Sequence, residues 1–492
     1  MAAKNNVYLK HLFTVLFILI SSCFSQSLYA STCDSLKIAT DTVLITDTVA
    51  VKTVAKTTEA IAIANDTPVV KKRFWRAAGE LMLVQIIPWS YNYFIRDAEF
   101  AHVSFSSIWH NLHPSSWEFD DNNFTTNQIA HPYQGNLYFN SFRSNGYSFW
   151  QAAPASFVGS FMWEIAGETH NPAPNDFINT SMGGVILGEM TYRVSNRIIN
   201  KRERGFNRQV DEVLGFLIDP MSGLNRIIDG QWGRISTAPE TALDTMNIKA
   251  EIDLGARQIS EENGGLFSKG QLGWYARLRL LYGSPFTESK TPFNNFTLKV
   301  EMGADDTAKL NNVSVNGMLT SWELESNEKV DHILSLTANY DFYHNSAFEY
   351  GAQSIDLSLY SKFNTSEGVT FTTRAGVGGI VLAAIPDAYL YYGEGRNYDY
   401  GPGFSLIAQA GVSIDNKLDI IGNYTGGWFV TVNGSHSTYF LHTITGEIRY
   451  RMFGQFSIGA EGGYFLLQGN YSDHPDIDKK YPYLRFSLGY RI

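Results

Sequence analysis

The chain reads as an α+β protein: an antiparallel transmembrane β-barrel of about 12 strands behind an N-terminal helical domain. Three observations carry that reading. From Met246 onward, apolar and polar residues alternate with period two, and the last nine residues, Leu484 to Ile492, do so without exception. Such alternation gives a strand one greasy and one polar face. Aromatics make up 14% of 492 residues and charged residues only 17%, with 42 glycines, a composition that suits strands between lipid and a watery lumen. Beyond the first 25 residues, no stretch approaches the ~18 uninterrupted apolar residues of a spanning helix, so strands must do any spanning.

Residues 1–25 read as an export signal, with Lys4, Lys10 and His11 ahead of the apolar run Leu12 to Ile20 and the small Ser21 and Ser22. Cleavage after Ser25 and cleavage after Ala30 both fit. Ile20-Ser21-Ser22-Cys23 also resembles a lipoprotein box that would lipidate Cys23. Simple cleavage is preferred, because a barrel needs no lipid anchor. Cys33 is the only other cysteine, so a structural disulfide in the processed chain is excluded.

Residues 26–72 are expected to be a disordered periplasmic tether. From Ser31 they are mainly Thr, Ala, Val, Asp and Lys, with Thr40-Asp41-Thr42-Val43 repeated as Thr46-Asp47-Thr48-Val49. The net charge of -10 and the short basic run Lys71-Lys72-Arg73 exclude nucleic acid as a partner. The expected location is the cell outer membrane, and the expected partners are outer-membrane lipids and the barrel assembly machinery. The oligomeric state is left open.

Residues 73–235 form the expected helical domain. Trp75 to Phe94 is apolar nearly all round, which predicts a helix that is buried or at the membrane surface, kinked or broken at Pro88. Further helices are predicted over Phe149 to Glu168, with Pro154 in the first turns, and over Ser181 to Asn200. The phrases His131-Pro132-Tyr133-Gln134-Gly135 and Asn171-Pro172-Ala173-Pro174-Asn175 read as loops, with His131 extended ahead of its proline.

The barrel is expected over residues 246–492. Leu272, Trp274, Ala276, Leu278, Leu280 and Tyr282 oppose Tyr275, Arg277 and Arg279, and the same opposition recurs over 334–342 and 444–452. About twelve segments of roughly ten residues or more suggest an up-and-down meander, since soluble strands are shorter. Such a lumen admits a plug or a narrow channel, and the inward Arg277, Arg279, Asp341, Glu447, Arg449 and Arg451 would cross-link it or line a pore. The helical domain is expected to lie in the periplasm, against the membrane, or in the lumen as a plug.

Any chemistry lies in residues 109–200. Trp117-Glu118-Phe119-Asp120-Asp121 precedes Asn127 and the His-Pro-Tyr phrase, and Arg143-Ser144-Asn145-Gly146 follows. Then come Trp163-Glu164-Ile165-Ala166-Gly167-Glu168, Asn175-Asp176 and Gly184-Val185-Ile186-Leu187-Gly188-Glu189. These phrases resemble a family of Gram-negative bacteria, especially the Bacteroidota, called domain of unknown function 3943. Ala173-Pro174 stands where that family would have a serine, which argues against a nucleophile there. The resemblance implies a compartment but no reaction.

Glu164 and Glu168 are four apart on one helix face, with Ser160 in the same row. Neighbouring carboxylates repel unless protonated, paired or metal-bound. Candidate catalytic residues for acid–base hydrolysis are therefore His131, Glu164, Glu168 and Asp176, and candidate binding residues are Arg143, Asn175, Glu189 and Tyr133. Alternatively the carboxylates bind a divalent cation with Asp176, or the two glutamates cap loops by accepting backbone N–H bonds, with Arg143 neutralising them. Gly184 and Gly188 form a small-xxx-small face suited to tight helix packing. No zinc signature, phosphate-binding glycine loop or Gly-x-Ser-x-Gly elbow is present, so no cofactor or metal is implied. The functional reading is a plugged barrel with a structural role or one in transporting a small or lipidic ligand; the alternative is an envelope lipid- or glycan-acting hydrolase.

Overall fold

The computed structural model describes residues 71–199, 204–235, 246–303, 309–345, 347, 349–366, 368–390 and 395–492. The expected signal and nearly all of the tether lie outside the described residues. Period-two patterning produces a closed antiparallel barrel of twelve strands. These are β1 (Ile248–Ser260), β2 (Gly270–Tyr282), β3 (Phe296–Gly303), β4 (Leu310–Ser326), β5 (Val330–His344), β6 (Glu349–Ser366), β7 (Val369–Pro386), β8 (Tyr398–Ile414), β9 (Leu418–Val430), β10 (Ser437–Arg451), β11 (Phe456–Tyr471) and β12 (Ile477–Arg491). Each strand pairs with its successor, and β12 closes on β1 in a register running from Glu251↔Arg491 to Ile259↔Tyr483. Closure leaves no sheet edge unpaired.

The alternation sorts side chains as expected. Arg277 and Arg279 of β2, Asp341 of β5 and Glu447 of β10 line the lumen, while Trp274, Ile448, Phe486 and Leu488 are exposed on the outside. The lumen is cross-braced by ion pairs. Arg279 reaches Glu447 at 3.0 Å, Arg449 reaches Asp253 at 2.9 Å and Arg485 reaches Glu301 at 3.1 Å, each pair spanning non-adjacent strands.

The helical domain comprises α1 (Phe74–Phe94), α2 (Phe105–Asn111), α3 (His131–Arg143), α4 (Phe149–Ala166), α5 (Pro174–Ile178), α6 (Gly184–Ile199), α7 (Gly205–Ile218) and α8 (Pro220–Ile228). Helix α1 continues through Pro88 to Phe94. The helix α3 sits where a loop was expected, and His131 has helical φ and ψ despite the following proline. The wider π-helical turn Thr126–Ala130 leads into it without a break, and Pro132 follows that turn after His131. Asn175 and Asp176 likewise stand in the first turn of α5 rather than in a loop.

Helices α3 and α6 meet through glycine. A Cβ on Gly135 would overlap the Thr180 carbonyl, and one on Gly184 would overlap the Gly135 backbone. The small-xxx-small face thus serves helix packing within one chain.

The helical domain is not a lumenal plug. Its core residues Phe124, Phe139, Phe149, Phe177 and Ile186 pack with Tyr282, Phe296, Val315, Tyr340, Phe342 and Tyr400. On β5 the lumen is lined by Asn339, Asp341 and Tyr343, so Tyr340 and Phe342 point outward. The helices therefore lie against the outer wall, over β2 to β8. Register shifts at Met318/Thr320 and Ile380/Ala383 lie under this contact, and Leu319 and Leu382 there join the shared core. The physical reason is the outer surface of the helices themselves. Trp75, Ile87, Phe94, Phe105, Trp109, Phe206 and Leu217 are exposed on it, and apolar residues of this kind would be badly placed in a lumen lined by paired charges.

Candidate functional site

Part of the interior of the helical domain is polar. Two π-helical turns, Thr126–Ala130 and Asn179–Gly183, face one another there, and Asn179 Nδ2 donates to the Asn127 carbonyl at 3.1 Å. Such turns widen a helix and often mark functional positions. His131 lies between them. Its Nδ1 is 3.3 Å from Thr180 Oγ1, and its Nε2 is 3.4 Å from Asp176 Oδ2.

From Asp176 the network runs to the barrel. Asn175 Nδ2 donates to Asp176 Oδ1 at 2.7 Å and to Asp120 Oδ1 at 2.6 Å. Asn127 Nδ2 lies 2.8 Å from the same Asp120 oxygen and 2.8 and 3.0 Å from the hydroxyls of Tyr398 and Tyr400. Those tyrosines stand on the outer face of β8, and the Tyr340 hydroxyl of β5 donates to the Gln128 carbonyl. Glu164 Oε2 accepts the Ala173 N–H at 2.8 Å, the capping role foreseen as its alternative. Asn111 Nδ2 donates to the carbonyls of Glu164, Glu168 and His170, which holds the end of α4 against α2.

The electrostatics follow from burial without cations. Asp176 and Glu164 are almost fully buried, and among the described residues no arginine or lysine forms an ion pair with either, or with Glu168. Burial pushes the Glu164 carboxyl well above the usual carboxylate range, with Glu168 adding repulsion. Burial and Asp120 raise Glu168 to about 8. Burial, then Asp120 and Glu164, push Asp176 well above its ordinary value, and burial lowers His131 against the pull of Asp120. Burial thus favours the protonated form of Glu164, Glu168 and Asp176 and the neutral imidazole of His131. Proton exchange along the chain from Thr180 through His131 to Asp176 is chemically available to this cluster.

The remaining expected residues are elsewhere. Arg143 grips Glu189 through two contacts, 2.7 and 3.2 Å, and does not neutralise Glu164 or Glu168. Arg193 also meets Glu189 at 2.8 Å and reaches the Pro292 carbonyl at 2.7 Å and Asn294 Oδ1 at 2.9 Å, which ties α6 to the segment between β2 and β3. Tyr133 lies exposed. The cluster adds Thr180, Asp120, Asn127, Tyr398 and Tyr400. Asp120 and Asn127 stand in the phrases that carry the family resemblance, and the tyrosines in an outward row of a strand. Thr180 has no sequence signal of its own.

Residues 116–221 match a family model described as Domain of unknown function (DUF3943). Within the helical segment, residues 116–221 are thus similar to that family. The match holds His131, Glu164, Glu168 and Asp176 together with both π-helical turns, and extends to the start of α8. No curated protein matches the chain. Among solved structures, an outer membrane channel from Pseudomonas putida F1 is 13% identical with a TM-score of 0.31, covering 52% of this chain and 100% of its own. The NanC porin is 9% identical, with a TM-score of 0.30 and coverage of 49% and 100%. The DcaP channel of Acinetobacter baumannii is 10% identical, with a TM-score of 0.24 and coverage of 50% and 97%.

Proposed function

We propose that this protein resides in the outer membrane with its helical domain lying in the bilayer beside the barrel, and that it handles a lipidic ligand rather than serving as an open pore. One observation carries the reading. The helical domain exposes many large apolar side chains, among them Trp75, Ile87, Phe94, Phe105, Trp109, Phe206 and Leu217, while Glu164, Asp176, Asn127 and Asn175 are buried beside its apolar core. That exterior joins the lipid-type belt of the barrel. Among the described residues no helix is long and apolar enough to cross a membrane, so the wall anchors the domain, and lipid would cover its exposed face. The alternating closing strand would present Phe486, Leu488 and Tyr490 to the barrel assembly machinery.

Comparison of envelope lipids by mass spectrometry, with and without the protein, tests this reading together with conductance of the purified protein in planar bilayers. A changed lipid profile and no steady pore current are expected. An unchanged profile with a stable open-channel current would sink it.

A second reading, a lipid-acting hydrolase built on His131, Glu164, Glu168 and Asp176 with Thr180, is favoured by the junction of the two π-helical turns at His131. In that case His131→Ala and Asp176→Asn should each abolish the lipid change while leaving the protein folded and in the membrane. If both folded variants keep the wild-type lipid change in full, binding without catalysis is the better account.

A further inference from the structure

We propose that the barrel lumen is a one-ended binding cup for a small polyhydroxylated anion, a sugar acid or sugar phosphate. The proposal is independent of the helical domain's role.

The lumen holds a cavity of about 1030 Å³, at the upper end of the size range of ligand pockets. At one end it is lined by the exposed Lys249, Asn416 and Arg491, and at the other by the buried Tyr350, Phe465 and Tyr483. The buried end is a packed layer. Tyr350 meets Phe429 edge-on at 5.9 Å, and Phe465 stacks on Tyr483 at 4.8 Å. Tyr439 donates to the Tyr471 hydroxyl at 2.9 Å, and Tyr471 donates to Asp387 at 3.1 Å. Ile385, Phe429 and Tyr439 are completely buried in or beside that layer. The open end carries the short turns at 327–329, 415–417 and 452–455, the side that faces the periplasm in barrels of this kind.

The charge pattern selects the ligand. Five arginines (257, 277, 279, 449 and 485) and five carboxylates (Glu251, Asp253, Glu301, Glu447 and Glu461) pair among themselves. Arg451 pairs with Asp419. That leaves Lys249, Lys299, Arg374 and Arg491 on the cavity wall, none of which has a carboxylate within ion-pair distance among the described residues. Against these four cations stand two carboxylates, Asp341 and Asp356. Asp356 is already engaged by Asn339 and Ser405, each at 2.7 Å. The wall thus holds an excess of two positive charges, with Lys299 and Arg374 within the cup and Lys249 and Arg491 at its mouth. Between them lie amides and hydroxyls, including Asn312, Asn316, Gln409, Asn423 and Thr445. Amides and hydroxyls bind sugar hydroxyls by donating and accepting at once, and the cations without a carboxylate partner, Arg374 among them although it also meets Ser358 Oγ at 3.3 Å, can supply charge-assisted bonds to a carboxylate or phosphate.

The experiment is calorimetric titration of the full-length protein in detergent with glucose 6-phosphate, glucuronate, glucose and glucosamine. Both anions should bind at least tenfold more tightly than glucose, with glucosamine weakest, and binding should weaken with added salt. Binding of glucose 6-phosphate alone, or of glucuronate alone, supports the cup and tells phosphate from carboxylate. Lys299→Met and Arg374→Gln, each checked by heat-modifiable migration, should weaken anion binding at least tenfold, and Lys249→Met at the mouth less. Equal binding of glucose, tighter binding of glucosamine, or no binding by any of the four overturns the proposal, as does unchanged affinity in folded Lys299→Met and Arg374→Gln proteins.

Discussion

Inside the barrel, Arg277 meets Asp253 at 3.1 Å and Glu461 at 2.6 Å, and Arg449 meets both Glu251 and Glu447 within 2.8 Å. On the outer side of the same wall, Glu164 and Asp176 are just as buried, yet their neighbours are amides, an imidazole and phenols. Both regions hide acids from water, but one answers the desolvation with opposite charge and the other with protons. Matched pairs of opposite charge brace strands against one another and leave little to titrate. Acids raised by burial keep a proton that can be moved, which is the ordinary requirement of acid–base work. The contrast separates a lumen network that braces strands from a helical cluster whose acids burial pushes toward the protonated form.

The heaviest blow to this comparison should come from Gly184→Val. Its side chain would drive into the Gly135 backbone, at a cost above the roughly 1–3 kcal/mol of ordinary overpacking. Limited proteolysis should then remove the helical domain while the barrel keeps its heat-modifiable migration. Loss of both together would show that the two regions form one cooperative unit.

Next in size is Arg449→Met, which strips Asp253, Glu251 and Glu447 of a shared partner. A loss of about 3–5 kcal/mol is expected, read as a lower urea midpoint of the barrel. A shift below about 1 kcal/mol would mean that the lumen is wet enough to solvate the orphaned acids.

A smaller effect is expected from pH. A carboxyl whose pKa is raised on folding stabilises the fold below its unfolded value and loses that contribution as pH climbs through the folded one. For Glu168 the window runs from about 4.5 to about 8, and Glu164 and Asp176 act in the same direction. His131, lowered by burial, opposes them only as pH falls below about 6.5. The protection factors of α4 and α5 amides, corrected for the base-catalysed intrinsic exchange rate, should therefore be higher at pH 6.5 than at pH 8.5, with those of the barrel strands unchanged. Lower protection at pH 6.5 would contradict protonated acids in the cluster.

Smallest of all is Asp176→Asn. An amide replaces a neutral acid of the same shape, so stability should change by less than about 1 kcal/mol. Severe destabilisation would show that Asp176 is ionised and that the contrast with the lumen is wrong.

Much of the barrel was legible in the residues. Arg277 and Arg279 could be set opposite Leu278 and Leu280 because strand periodicity is local, and the inward charges did cross-link the lumen. The helical domain was less legible. The apolar girth of α1 suits a helix buried in protein or one facing lipid equally well, so its place outside the wall could not be read from it. His131 beside its proline looked extended, because a π-helical turn five residues long leaves no mark in hydropathy. Arg143 and Glu189 lie 46 apart in sequence, and nothing local says that they pair with each other rather than with Glu164.

By itself the sequence determined what depends on near neighbours: a twelve-stranded alternating wall, which faces are polar, and the glycines at which helices can touch. The tertiary structure alone decided on which side of that wall the helices lie, and that Thr180, His131, Asp176 and the tyrosines of β8 meet. The reason is that burial and pairing depend on surfaces brought together over hundreds of residues, and those surfaces exist only once the barrel has closed.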